Sequence, residues 1–172
     1  MTIPQSIKNG KTVIRPLRRE EAAVVLPEML YQALFRLPGE PPTKREIVFG
    51  PKLNMYIDGF GREHDHCLVA EISGVIAGAV WARLLGGGNK GYGYVDDETP
   101  ELAIALLPEY RGRGIGTRLM EKMLCLLTEH GYRQVSLSVH KANAAARLYR
   151  KLGARAVRET TEDCVMVFKL DT

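Results

Sequence analysis

Apolar positions along this chain change their spacing in a readable order. The stretch "TVIRPLR" (12–18) opens as a short β-like run, and Pro16 stops it. Over 19–37 the apolar residues Val25, Met29, Leu30, Leu34 and Leu37 recur at a helical period, with Pro27 expected to bend or split the helix. "PGEPP" (38–42) reads as a loop. The stretch Thr43–Gly59 predicts a second helix, with Thr43 as N-cap and Glu46 three residues on in a capping-box pattern, although Pro51 sits awkwardly inside it.

The pattern then turns strand-like. "HCLVAEIS" (66–73), the turn residue Gly74 and "VIAGAVWARLL" (75–85) predict a hairpin. "GGGNKGYG" (86–93) reads as a flexible loop. "PELAIALL" (100–107) is a continuous apolar run, suited to a strand buried on both faces, and Pro108 ends it. From Gly114 to about His130 a helix follows, its apolar face made by Ile115, Leu119, Met123, Leu126 and Leu127, with Gly131 as its terminator. "QVSLSVH" (134–140) is another strand, and "NAAARLYRKLG" (143–153) a short helix with Asn143 as N-cap and Gly153 past its end. "RAVRE" (155–159), a turn at Thr160–Asp163 and "CVMVFKL" (164–170) predict a closing hairpin.

The order is therefore β-α-α-β-β-β-α-β-α-β-β. Helices interleaved with a mixed sheet make this an α/β chain with α+β character, and some strands around the two later helices must run parallel. At 172 residues, with no repeat or linker, one domain over 1–172 is expected.

Composition narrows the class without choosing a function. Hydrophobic residues at 45% and charged residues at 26% are ordinary for a globular protein. No apolar run approaches the ~18 residues of a membrane span. The start "MTIPQSIKNGK" lacks the apolar core of a secretory signal. Cys67, Cys125 and Cys164 are widely spaced and odd in number, which reads as free thiols in a reducing cytoplasm. A formal charge of +4 suits an anionic small ligand as well as weak contact with nucleic acid.

One segment carries more chemistry. Within "PEYRGRGIGTRLMEKMLCLL", Arg111–Arg118 holds three glycines and three arginines directly before a helix. The first four N–H groups of a helix lack intrahelical partners, and the macrodipole adds about half a positive charge there. Glycines let the chain bend tightly and bring those donors against an anion, and the arginines attract it. A P-loop would need G-x-x-x-x-G-K-[ST], and no lysine follows Gly114 or Gly116. A dinucleotide fold would need G-x-G-x-x-G, where Thr117 now stands, and an acidic residue closing the next strand, which ends at Val139–His140. What remains is Arg111-x-x-Gly114-x-Gly116 after a strand, a pattern that an ordinary strand-to-helix turn with solvated arginines also produces.

"ELAIALLPEYRGRGIGTRLMEKML" resembles the acetyl-CoA-binding segment of the GNAT superfamily of N-acetyltransferases, whose motif is [QR]-x-x-G-x-[GA]. "LSVHKANAAARLYRKLGA" resembles the family's following strand and helix, so the likeness covers roughly 101–154. It implies a GNAT fold: a mixed sheet of about six or seven strands flanked by about four helices. It also implies a cytoplasmic enzyme that moves the acetyl group of acetyl-CoA directly to a primary amine, with no metal. Its acceptor would be a small-molecule or peptide amine, with neither nucleic acid nor membrane as partner. Many relatives dimerise, so a homodimer is compatible, though no stripe marks an interface.

The resemblance assigns the coenzyme's pyrophosphate to the amides of Gly112, Arg113, Gly114, Ile115, Gly116 and Thr117, beside Arg111. It assigns the pantetheine arm to the backbone of Ile104, Ala105, Leu106 and Leu107, in a strand that splays from its parallel neighbour; a plain core strand is the other reading. Asn143 would contact the pantetheine or phosphate region, or simply cap its helix. Tyr149 would protonate the departing thiolate, or fill space between helix and sheet. Arg147, Arg150 and Lys151 suit either phosphates or solvent. Glu101 is the first candidate for the base that neutralises the amine, with a carboxylate at a strand edge as its alternative.

Some members that acetylate protein N-termini carry a glutamate where this chain has Ser138, so ribosomal-protein-type activity is not implied. Asp96, Asp97 and Glu98 could attract a cationic amine, although most such runs are solvated loops. His64 and His66 lack a third partner for a metal. A non-catalytic acyl-CoA-binding or sensing module on the same fold is the alternative function, and the presence of Asn143 and Tyr149 favours chemistry.

Overall fold

The computed structural model describes residues 9–171, so most of the N-terminal stretch read for a secretory signal lies outside them. Seven strands form one mixed sheet: β1 (Thr12–Pro16), β2 (His66–Ile72), β3 (Val75–Arg83), β4 (Glu101–Leu106), β5 (Gln134–His140), β6 (Arg155–Glu159) and β7 (Asp163–Lys169). Among the described residues three α-helices accompany it: α1 (Ala22–Ala33), α2 (Ile115–Glu129) and α3 (Ala145–Lys151). The strand order is β1-β2-β3-β4-β5-β7-β6. Every neighbouring pair is antiparallel except β4 and β5. The expected α/β class and closing hairpin are both present.

The sheet has a helix layer on each face, and alternation along the strands sorts residues between the two cores. On one face Leu68, Ala70, Val80 and Leu102 pack with Leu119, Met120 and Met123 of α2. On the other Val69, Ala79 and Trp81 pack with Leu26, Met29 and Leu30 of α1. The expected apolar face of α2 holds, with Met120 added and Leu126 only half-buried.

Two expectations need correction. Of the bend or split expected at Pro27, the split does not occur: helix α1 runs unbroken from Ala22 to Ala33 and ends before Leu34, whose backbone is extended. Proline removes one backbone donor, and the burial of Val25, Leu26, Met29 and Leu30 holds the helix together regardless. The predicted helix over 43–59 is instead two short 3₁₀ turns, Arg45–Phe49 and Asn54–Tyr56. Pro51 keeps Gly50 extended (φ −72°, ψ 164°) and so cuts the segment in two. Thr43 caps nothing; its carbonyl accepts the Tyr31 hydroxyl at 2.8 Å.

This irregular segment is pinned to the sheet by one buried ion pair. Arg83 donates from Nε to Asp65 Oδ1 at 2.8 Å and from Nη2 to Oδ2 at 3.0 Å. Its Nη1 donates to the carbonyls of Met55 and Asp58 at 2.9 and 2.8 Å. Both side chains are almost fully buried. Asp65→Ala would strand the guanidinium in a dry site and is expected to cost about 3–5 kcal/mol. A urea unfolding curve with an unchanged midpoint would contradict this.

Candidate active site

Strands β4 and β5 pair at a single register, Glu101 with Ser136, where the Ser136 N–H donates to the Pro100 carbonyl at 3.0 Å. Beyond that point they diverge, and a cleft of about 1350 Å³ opens between them. Its walls come from β4 over Glu101–Leu106, from β5 over Leu137–His140, from the end of α1, and from Tyr56, Asn143 and Tyr149. Past Glu101, the edge of β4 that faces β5 pairs with no residue of that strand, so apart from the Leu106 carbonyl, which Arg111 takes, it has no strand partner to exclude an extended ligand.

At the far end of β4 the chain passes through a short turn (Pro108–Tyr110) into the glycine-arginine segment. Gly112 and Gly114 hold φ of 72° and 74°, left-handed values that side chains disfavour. No heavy atom lies within 4 Å of the point where a side chain would begin at either glycine. Gly114 directly precedes α2, whose first backbone bond runs from Arg118 N–H to the Gly114 carbonyl at 3.2 Å. An open glycine turn at the positive end of a helix of 15 residues suits an anion.

The candidate residues divide by position. Ile104, Ala105, Leu106, Arg111, Gly116 and Asn143 line the cleft. Gly112, Arg113 and Gly114 are exposed on the turn beyond it, Thr117 is half-buried, and the Ile115 side chain is buried in the α2 core. Arg111 is engaged within the protein: Nε donates to the Leu106 carbonyl at 3.0 Å, and Nη2 reaches the Gln32 carbonyl at 3.4 Å. It ties the turn to β4 and α1. Arg113 lies over the buried Tyr110 ring at 5.7 Å. Asn143 Oδ1 accepts the Ala145 N–H at 3.0 Å, a capping contact. Arg147, Arg150 and Lys151 are exposed.

Glu101 and Tyr149 both line the cleft and are both buried. Burial pushes the Tyr149 phenol up to about 12. Burial also raises the Glu101 carboxyl above its ordinary value, opposed by hydrogen bonds from Tyr56 and from the Gly93 backbone. The Tyr56 hydroxyl donates to Glu101 Oε1 at 2.5 Å, and the Gly93 N–H donates to the same oxygen at 2.8 Å. Glu101 Oε2 is buried and has no hydrogen-bond partner among the described residues.

The Tyr56–Glu101 contact, across 45 residues, is one that no local motif announces. The close packing of Gly91 and Gly93 on the carboxylate explains two of the loop's glycines. Asp96 and Asp97, by contrast, stay outside the cleft: Asp97 accepts the Tyr94 hydroxyl at 2.8 Å and Asp96 the Glu98 N–H at 3.0 Å. His64 Nδ1 is 2.8 Å from the Tyr132 hydroxyl. Among the described residues no group of three His, Cys, Asp or Glu is placed to hold a metal ion, and no helix is long and apolar enough to cross a membrane.

Comparison with known proteins gives this geometry a context. A ribosomal protein bS18-alanine N-acetyltransferase of Haemophilus influenzae is 39% identical over 61 residues, which are 36% of this chain and 42% of that protein. A thialysine N-epsilon-acetyltransferase of Bos taurus is 34% identical over 107 residues, 59% of this chain and 63% of that one. The chain thus spans less than two thirds of these relatives. Among solved structures, the PaiA N-acetyltransferase of Thermoplasma acidophilum in complex with coenzyme A superposes with a TM-score of 0.68 at 18% identity, covering 92% of this chain and 99% of that one. A GNAT family acetyltransferase of Brucella melitensis in complex with acetyl-CoA gives 0.61 at 22%, covering 95% and 91%. These likenesses fix the fold. Residues 29–154, most of the sequence, match the acetyltransferase (GNAT) family, and the chain belongs to it.

Proposed function

We propose that this protein is an N-acetyltransferase that moves the acetyl group of acetyl-CoA directly to a primary amine. The observation that carries the reading is one continuous path. It runs from the left-handed glycines at 112 and 114, along the open edge of β4, to a buried carboxylate and phenol. That path suits an elongated ligand with phosphates at one end and a reactive group at the other. Solved GNAT neighbours hold coenzyme A or acetyl-CoA. Matched relatives are named for acetylating an alanine of a ribosomal protein and the N-epsilon group of thialysine.

In this reading the turn's amides and the N-terminus of α2 receive the diphosphate, and the free edge of β4 pairs with the pantetheine arm. Backbone donors on that edge polarise the thioester carbonyl. Glu101 takes a proton from the acceptor's ammonium group, and the neutral nitrogen attacks the carbonyl carbon as the carbon–sulfur bond breaks. The second proton that the nitrogen then sheds ends on the departing sulfur or in solvent. Tyr149 donates to the departing sulfur. Positioning does much of the work, and no covalent bond to the protein is needed.

The direct test is release of free thiol from acetyl-CoA against a panel of amines, with acetyl-CoA affinity measured alongside. The wild type is expected to bind and to turn over at least one amine. Gly114→Ala, which forces a side chain onto φ of 74°, is expected to weaken acetyl-CoA binding about tenfold. Wild-type protein that neither binds acetyl-CoA nor releases thiol refutes the proposal, whereas binding without turnover of any amine indicates an acyl-CoA-sensing module.

Glu101 works only when deprotonated, so activity should be present above its folded pKa and lost as pH falls through it. Because burial raises that pKa, the acid limb of kcat/KM should lie above the ordinary glutamate value near 4.3. Glu101→Gln should remove the limb and lower kcat about 10²–10⁴-fold. Tyr149→Phe should lower kcat while leaving acetyl-CoA affinity intact, and equal turnover by the two proteins would remove Tyr149 from the mechanism.

A further inference from the structure

Glu101 presents its two oxygens to different surroundings. Oε1 receives two donors, the Tyr56 hydroxyl at 2.5 Å and the Gly93 N–H at 2.8 Å. Oε2 is equally buried but receives none among the described residues. Tyr56 is itself held: the Tyr92 N–H donates to its hydroxyl at 2.8 Å, and its backbone carbonyl accepts the Trp81 indole N–H at 3.0 Å. A side chain at Gly91 would begin 2.0 Å from Oε2 and 2.7 Å from the Tyr56 hydroxyl. The 91–93 loop therefore closes down on this pair as tightly as a backbone can.

A hydroxyl in this position has two possible jobs. If it only filled the α1-side core, its oxygen would have no need to meet a carboxylate. The ring already packs there, and the anchoring bond from Trp81 uses backbone. The hydroxyl instead accepts one backbone N–H and donates its own hydrogen bond to Oε1. That leaves Oε2 with its accepting capacity unused, on a residue that lines the cleft.

We propose that Tyr56 is a positioning residue for the acetyl transfer: together with the Gly93 amide it occupies Glu101 Oε1 and so presents Oε2 as the atom that takes the amine's proton. This rests on the reading of Glu101 as the base. Tyr56 is not the base: burial and the neighbouring carboxylate raise its pKa, so it remains a phenol and a donor.

The groups around the carboxylate fix the sign of the pH effect. Tyr56 and the Gly93 amide stabilise its charged form, and Arg158 on β6 adds a weaker attraction. Arg83, its cross-strand neighbour on β3, is committed to Asp65. Ser136, its neighbour on β5, is neutral. Removing the Tyr56 hydroxyl withdraws a hydrogen bond from the charged form alone, so the Glu101 pKa must rise.

The test is the Glu101 carboxyl titration, followed by NMR in protein carrying ¹³C-labelled glutamate and assigned with Glu101→Gln. It is run beside pH profiles of kcat/KM with acetyl-CoA and thialysine as the amine probe. Tyr56→Phe should raise the Glu101 pKa by about one unit and move the acid limb with it. That is about a tenfold loss of kcat/KM below the limb, with the KM for acetyl-CoA unchanged. Gly91→Ala, which pushes the same pair apart without removing the ring, should shift the titration in the same direction, and it serves if Tyr56→Phe does not fold. An unmoved Glu101 titration in a folded variant overturns the positioning role, even while Glu101→Gln still abolishes the acid limb. A Glu101→Gln enzyme that keeps the wild-type limb overturns the base reading, and the positioning role falls with it.

Discussion

The site exists because two parallel strands meet once and then part. In a parallel ladder each further residue would add backbone bonds, yet β4 and β5 stop after Glu101 and Ser136. At the apex a loop packs against both strands. The backbone of Gly93 packs against the peptide joining Leu137 and Ser138, with a side chain there beginning only 2.8 Å from the Leu137 carbonyl carbon. Its N–H is directed at Glu101. A loop segment and a carboxylate thus sit where the two strands part. Past them the edge of β4 that faces β5 has no strand partner.

That arrangement also joins the two ends of the cleft mechanically. Beyond the apex, β4 runs to Leu106 and the glycine turn, and Arg111 fastens the turn back to the Leu106 carbonyl and across to Gln32 on α1. Arg111, which the sequence offers as a phosphate ligand, thus also braces the turn within the fold, beside the amides around Gly112 and Gly114. Affinity and alignment then depend on different groups. On the proposed reading the turn receives the anionic end, and the apex supplies the proton acceptor.

Much of this was legible in the sequence wherever the signal is local. The strand at 134–140, the edge strand at 155–159 and the helix ending before Gly131 follow from spacing and from terminators a few residues away. The segment 43–59 was misread because its apolar residues suit a helix while Pro51 and Gly50 forbid one, and the tertiary anchors on Arg83 that replace the helix are remote. Glu101 and Tyr149 could be named from the family pattern, and both sit in the cleft. Tyr56 could not be named as a partner of Glu101, because no local rule joins residues 45 apart. The 79-residue link from Arg111 to Gln32 was invisible for the same reason.

Burial acts on both proposed catalytic groups, Glu101 and Tyr149, and on that reading it serves them in opposite ways. For Glu101, losing water raises the proton affinity of the carboxylate, which makes it a stronger base than one on the surface. For Tyr149, the same loss pushes the phenol up to about 12, further from a thiol near 8.5. Complete transfer of the Tyr149 proton to a fully formed thiolate would then run uphill by several units. What a neutral buried phenol can offer throughout the reaction is a hydrogen bond to the growing charge on sulfur, strong because no water competes for it. On that reading Tyr149 is better suited to stabilise the departing sulfur than to surrender a proton early, and the protonation state of Glu101 sets the acid side of the pH dependence.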